Sequence, residues 1–164
     1  MQQCTPLLRK IMGWISNFEA LYDSWAGIDL RKESTQAAAD HEKELADLNR
    51  KQLYEKGETA NGKKLKKYKN PKYARVKHQM NPLPGLGNPD FRLTGEFQES
   101  VFSDVRVDGK IIFDASDPKV EFLVERDGES IFGLQPENEK TAWADILKPP
   151  VVLKIAQLTG AKLK

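Results

Sequence analysis

Asp108-Gly109 lies between two runs in which apolar and polar residues alternate, 101–107 and 110–115. An Asp-Gly pair readily supplies the positive φ angles of a tight antiparallel turn, so the chain is expected to contain a β-hairpin there. Val105 and Val107 alternate with Arg106 and Asp108, and Ile111 and Phe113 continue the pattern on the return strand. Most of the remaining chain shows a different period. Apolar residues elsewhere recur at steps of three and four, which is the spacing of a helix face. A small antiparallel sheet set among helices is therefore expected, an α+β fold.

Thr5-Pro6 reads as a helix start, with a capping hydroxyl and then Pro at the first helical position. Leu7, Ile11, Trp14, Ile15, Phe18, Leu21, Tyr22 and Trp25 follow at helical spacing up to Gly27. Trp14, Phe18, Tyr22 and Trp25 are expected to form a buried or intersubunit apolar face. Residues 29–56 are polar and helix-favouring, with a thin apolar stripe through Leu45, Leu48 and Leu53. They predict a long second helix closed by Gly57, projecting from the body or packed along one edge only.

Asn61-Gly62 marks a second, smaller hairpin or ordered loop. Asn70-Pro71 provides a cap and first position for a helix to about Gln79. Residues 81–90 hold three Pro and two Gly, an irregular connection and the strongest internal boundary signal. Thr94 is placed to cap one or two helical turns before the hairpin. Asp117-Pro118 starts a short helix that carries Phe122 and Leu123 and stops at Asp127-Gly128. Residues 130–134 read as a short apolar strand. Pro136-Glu137 opens a helix carrying Trp143, Ile146 and Leu147. Pro149-Pro150 is expected to interrupt it before a last helix that ends at Gly160. The organisation that follows is a helical region over 1–57 and an α+β region over 58–164, within one compact domain, as suits a chain of 164 residues.

Charge is the next constraint. The formal net charge of +2 hides a segregation. Residues 56–78 hold nine Lys/Arg and one acid, Glu58, a net of +8; the rest hold 17 basic and 23 acidic residues, a net of −6. Lys63, Lys64, Lys66, Lys67, Lys69, Lys72, Arg75 and Lys77 form the candidate polar contact segment, interleaved with Tyr54, Tyr68 and Tyr73. Lysines neutralise phosphates and tyrosines stack on bases, so nucleic acid is one partner of fitting chemistry. An acidic protein surface is another, and plain solvation a third. Lys outnumbers Arg eight to one over 56–78. Base readout favours the planar fork of Arg, so any nucleic-acid contact would be independent of sequence.

Several function classes are disfavoured. No apolar run approaches the roughly 20 residues of a membrane-spanning helix, and the N-terminal residues lack a signal-peptide layout. One cysteine, Cys4, allows no internal disulfide and fits a reducing, intracellular place of synthesis. His41-Glu42 begins a zinc-protease helix pattern, but Leu45 stands where the second His is needed. Gly85-Leu86-Gly87 sits among Pro84, Asn88 and Pro89, a turn cluster rather than a phosphate loop. Cys4 and His78 lack a third, orienting group, and the acid pairs Glu96/Glu99 and Glu137/Glu139 stand out in no way. Neither catalytic residues, nor metal ligands, nor a cofactor are expected.

Three stretches carry a resemblance. They are Gln52-Leu53-Tyr54-Glu55-Lys56-Gly57 with Asn61-Gly62-Lys63-Lys64-Leu65 and Tyr68; then Leu93-Thr94-Gly95-Glu96-Phe97-Gln98-Glu99-Ser100; then Ile131-Phe132-Gly133-Leu134-Gln135-Pro136-Glu137-Asn138. Over about residues 50–147 the chain resembles small virion proteins of tailed bacteriophages, of the tail-completion or head–tail connector (neck) type. In that group a Leu-Thr-Gly-x-(Phe/Leu)-x-x-Ser segment precedes a β-hairpin. The resemblance implies a non-enzymatic structural subunit, made in the bacterial cytoplasm and located in the virion. It implies a homo-oligomeric ring that contacts portal or tail subunits, with non-specific contact to packaged DNA. Neither a membrane nor a small-molecule substrate is implied. The reading from another class is a sequence-independent nucleic-acid-binding protein that uses the Lys-rich segment 56–78.

Overall fold

Helix α1, Leu30–Asp40, starts where the Asp29 side chain accepts from the Lys32 N–H at 3.0 Å. A computed structural model describes residues 26–161; Trp14, Phe18, Tyr22 and Trp25 lie outside them. The chain bends at His41 and continues as α2, Glu42–Lys51, then widens into a π-helical turn, Gln52–Lys56. Gly57 ends it with φ +58°. A Cβ at that position would lie 2.6 Å from the Pro89 carbonyl oxygen, so only glycine fits both the angle and the space.

The helical character of residues 30–56 and the stop at Gly57 are as expected, but the single long helix is broken at His41, and its placement differs too. Instead of projecting, α2 and the π-helical turn after it run through the middle of the fold, with Leu45 and Leu53 fully buried and Asn49 and Gln52 buried beside them. The apolar stripe looks thin because two of the inward positions carry amides.

The hairpin forms about Asp108-Gly109 as expected. Strand β1, Val101–Val105, pairs antiparallel with β2, Ile111–Ala115, in the register Val101↔Ala115 to Val105↔Ile111. Val107 belongs to the turn and is fully exposed. The turn docks on α1, where Arg31 donates to the Asp108 carbonyl at 2.5 Å. An isolated two-stranded sheet is marginal and leaves an open edge. Here α2 covers the outer edge of β1. The Glu42 carboxylate accepts from the Val105 N–H at 2.9 Å, Ser103 Oγ donates to the Glu42 carbonyl at 2.7 Å, and Arg50 donates to the Val101 carbonyl.

The smaller hairpin also forms. Glu58 and Lys64 bridge antiparallel, and Gly62 turns with φ +72°. Helix α3, Pro71–Met80, is capped by the Asn70 side chain, which accepts from Lys72 and Tyr73 N–H. The short α4, Glu96–Ser100, is capped by Gly95 at φ +102° rather than by Thr94. Thr94 Oγ1 instead donates to Glu96 Oε2 at 2.9 Å.

Helix α5, Val120–Asp127, ends at Gly128 as expected. The strand expected at 130–134 is absent; the chain makes a single 3-10 turn, Glu129–Ile131, and then runs extended. Among the described residues no strand lies alongside it. Asn49 Nδ2 donates to the Ile131 and Gly133 carbonyls at 3.1 and 2.7 Å, and the Ala60 N–H donates to the Ser130 carbonyl at 2.7 Å. Helix α6, Pro136–Thr141, leads into a π-helical turn, Ala142–Leu147, and directly into α7, Lys148–Thr159. Pro149-Pro150 therefore does not interrupt the helix. Pro in a helix clashes with the carbonyl four residues back and removes a donor. Widening the preceding turn to π geometry is one way to relieve both effects, and the Lys148 N–H reaches the Trp143 carbonyl, five residues back.

Two apolar clusters form the core. One joins Leu53, Leu65, Phe97, Val101, Leu123 and Ile131; the other joins Ala38, Leu45 and Ala142 with Val105, Ile111 and Phe113 against them. Each cluster joins residues before Gly57 (Leu53 of the π-helical turn in one, Ala38 and Leu45 in the other) to residues beyond it, so the core runs across the division expected there. The 81–90 connection is irregular but tied down. Asn81 Nδ2 donates to the Tyr54 carbonyl at 2.9 Å and to Asp90 Oδ2 at 3.1 Å, and Gln98 donates to the Asp90 carbonyl at 2.8 Å. Among the described residues no helix is long and apolar enough to cross a membrane.

Candidate interface surfaces

The basic segment lies on the small hairpin, the loop that follows it and α3. Lys63, Lys66, Lys67, Lys69, Lys72 and Arg75 are exposed, and none has a carboxylate within 4 Å among the described residues. The other cations are committed. Lys56 Nζ pairs with Glu137 at 2.9 Å, and Lys64 Nζ pairs with Glu58 at 2.9 Å while donating to the Lys56 carbonyl at 2.8 Å. The Lys56 ammonium beside Glu137 holds that carboxyl below its usual range and is itself pushed up. Glu58 is also lowered, first by the hydrogen bond from Gln135 and then by Lys64.

Lys77 corrects the expected contact set. It is 4% exposed, pairs with the buried Asp90 at 2.8 Å and donates to the Arg92 carbonyl. On α3 the residues Ala74 and Lys77 face inward, so helical spacing removes Lys77 from the face that carries Lys72 and Arg75. It holds the 81–90 connection instead of meeting a partner.

The tyrosines are less free than their interleaving with lysine suggests. The Tyr54 ring is covered by the Arg92 guanidinium, 5.0 Å from its centroid. Tyr68 and Tyr73 pack edge to face with centroids 5.0 Å apart. Burial, with Asp90 nearby, pushes the Tyr68 phenol up to about 12. Tyr73 is the one of the three that counts as exposed.

A second arrangement had no signal in the hydropathy pattern. Gln52 Oε1 accepts from the Gln135 N–H and from Asn138 Nδ2, both at 2.9 Å. Gln135 Nε2 donates to Glu58 Oε2 at 2.8 Å. Together with Asn49, these side chains bind residues 131–138 to α2 and the small hairpin. Breaking a buried amide hydrogen bond is costly, so this network fixes the relative position of those segments. Gln52, Gln135 and Asn138 belong to the first and third stretches that carry the phage-protein resemblance.

The remaining candidates do not assemble into chemistry. His41 Nδ1 lies 3.4 Å from Glu44 Oε1, at the bend between α1 and α2. Glu96 accepts from Lys119, and Glu137 is paired with Lys56. Gly85 and Gly87 both turn with positive φ. Cys4 lies outside the described residues, so its relation to His78 is not defined. Among the described residues no three His, Cys, Asp or Glu side chains are grouped to hold a metal. Comparison of the chain with known protein families, with curated proteins and with solved structures returned no match.

Proposed function

We propose that the chain is a structural virion subunit of a tailed bacteriophage. It assembles into a ring at the head–tail junction or at the top of the tail, as a connector or tail-completion protein, and performs no catalysis. The observation that carries the reading is the placement of the three resembling stretches. Leu93-Thr94-Gly95 turns into α4 and then directly into the β1–β2 hairpin, the order found in the group. The first and third stretches are joined through Gln52, Gln135 and Asn138. The mass of the purified protein tests the reading: a ring of fixed copy number is expected, and a monomer at high concentration contradicts it.

The six exposed cations, unpaired among the described residues, favour a second reading, contact with nucleic acid through phosphates alone. Up to six phosphate contacts would give a log–log salt slope of magnitude up to about 5. At low salt the protein should retard duplex DNA of unrelated sequences equally, and replacing Lys63, Lys66, Lys67 and Lys69 with Glu should abolish the shift. No shift at low salt would reject this reading and leave an acidic protein surface as the partner of the patch.

A further inference from the structure

We propose that the groove beside β2 is a socket for the exposed apolar ridge of α3 on a second copy of this chain, so that copies join head to tail. This rests on the ring reading and names the contact the ring would use.

The groove has a volume of about 530 Å³. Its deepest residues, Leu45 and Ala142, are buried; Ile111, Phe113 and Leu147 are partly buried. Trp143 stands at its edge, 49% exposed. The π-helical turn that accommodates Pro149-Pro150 is the element that carries Trp143 there. A small ligand needs several convergent polar groups to orient it. Apart from the Trp143 indole, the only polar side chains among the described residues lining this groove are Asn61 and Glu139, which suits an apolar ridge better than a small polar molecule.

Helix α3 offers such a ridge. Tyr73, Val76 and Met80 are 39%, 51% and 58% exposed. Their spacing of three and four places them on one face. That face lies between the inward side, Ala74 and Lys77, and the cationic side, Lys72 and Arg75. The helix contains no acid, whereas the only charged residue among the described residues lining the groove is Glu139. Ridge and socket therefore match in polarity and complement one another in charge. They share no residue, so one copy presents both at once. A contact between unlike surfaces repeats from copy to copy and closes into a ring when the rotation allows.

Two variants at exposed positions test this. V76D/M80D removes the ridge, and E139K/W143S removes the socket. Each should keep the wild-type circular dichroism spectrum and fail to assemble in analytical ultracentrifugation, with self-association weakened roughly 30-fold or more, a loss of hot-spot size. Mixed together they should form a one-to-one dimer that grows no further, because one intact ridge and one intact socket remain. Rings formed by either variant alone would overturn the proposal, leave the ring reading standing, and assign the groove to another occupant, such as residues 1–25 of its own chain or a foreign partner. A mixture that stays monomeric would also overturn it. A wild-type chain that is monomeric at every concentration would overturn both this contact and the ring.

Discussion

At the scale of single residues, Lys77 and Asp90 show how little formal charge says about exposure. Their side chains are 5% and 3% exposed, and each satisfies backbone groups of the 81–94 region as well as the other. Removing one partner of a buried ion pair leaves an uncompensated charge, whereas replacing both with apolar residues is far less costly. Asp90→Ala should therefore lower stability by ~3–5 kcal/mol in urea denaturation. The double variant K77M/D90L should recover part of that loss, the rest being the Arg92 backbone groups and the Asn81 amide left without their partners. Equal destabilisation of the two variants would show that the ion pair itself does not hold the loop. Lys77 was indistinguishable in sequence from its neighbours Lys72 and Arg75. Only its place on the inward side of α3, next to Ala74, separates them. Gly57 was legible as a helix stop, but its close approach to the Pro89 carbonyl depends on a residue 32 positions further along the chain and left no local mark.

At the scale of elements, turn chemistry proved the most legible signal. Asp108-Gly109, Asn61-Gly62, Asn70-Pro71 and Asp127-Gly128 each punctuate the chain where expected, because glycine φ angles, proline geometry and Asn capping are local properties. Elements that depend on partners were harder to read. Residues 130–134 have strand-like composition but no neighbouring strand; Asn49 and Ala60 take the place of one. Pro149-Pro150 has breaker composition, yet a π-helical turn absorbs it. Helix α2 looked like a projecting, solvated helix because its buried amides count as polar. That helix also protects the sheet edge, which yields a test. Glu42→Ala leaves the Val105 N–H and the outer edge of β1 without its carboxylate. A destabilisation of about 1–3 kcal/mol is expected, together with faster aggregation than wild type as the strand edge opens. Unchanged stability and solubility would mean that α2 covers the edge by packing alone.

At the scale of the whole molecule, the near-neutral charge resolves into an exposed cationic surface on the small hairpin and α3, where pairing with Glu58, Glu137 and Asp90 leaves six of nine basic residues without a carboxylate among the described residues. The same helix carries an apolar ridge, and the α6–α7 side carries an apolar groove. The sequence contained the cations and the order of the three resembling stretches. The pairing that thins the cations, and the convergence of those stretches on Gln52, required the fold. Large exposed apolar surfaces on a protein usually mark a contact, and an assembly subunit is the account that gives both the ridge and the groove an occupant.

The central claim is that this chain works by assembling with copies of itself. Native mass spectrometry of the purified protein at micromolar concentration addresses it most directly. The account predicts a single closed oligomer of fixed copy number, lost in V76D/M80D. A wild-type protein that remains monomeric across the concentration range would contradict it.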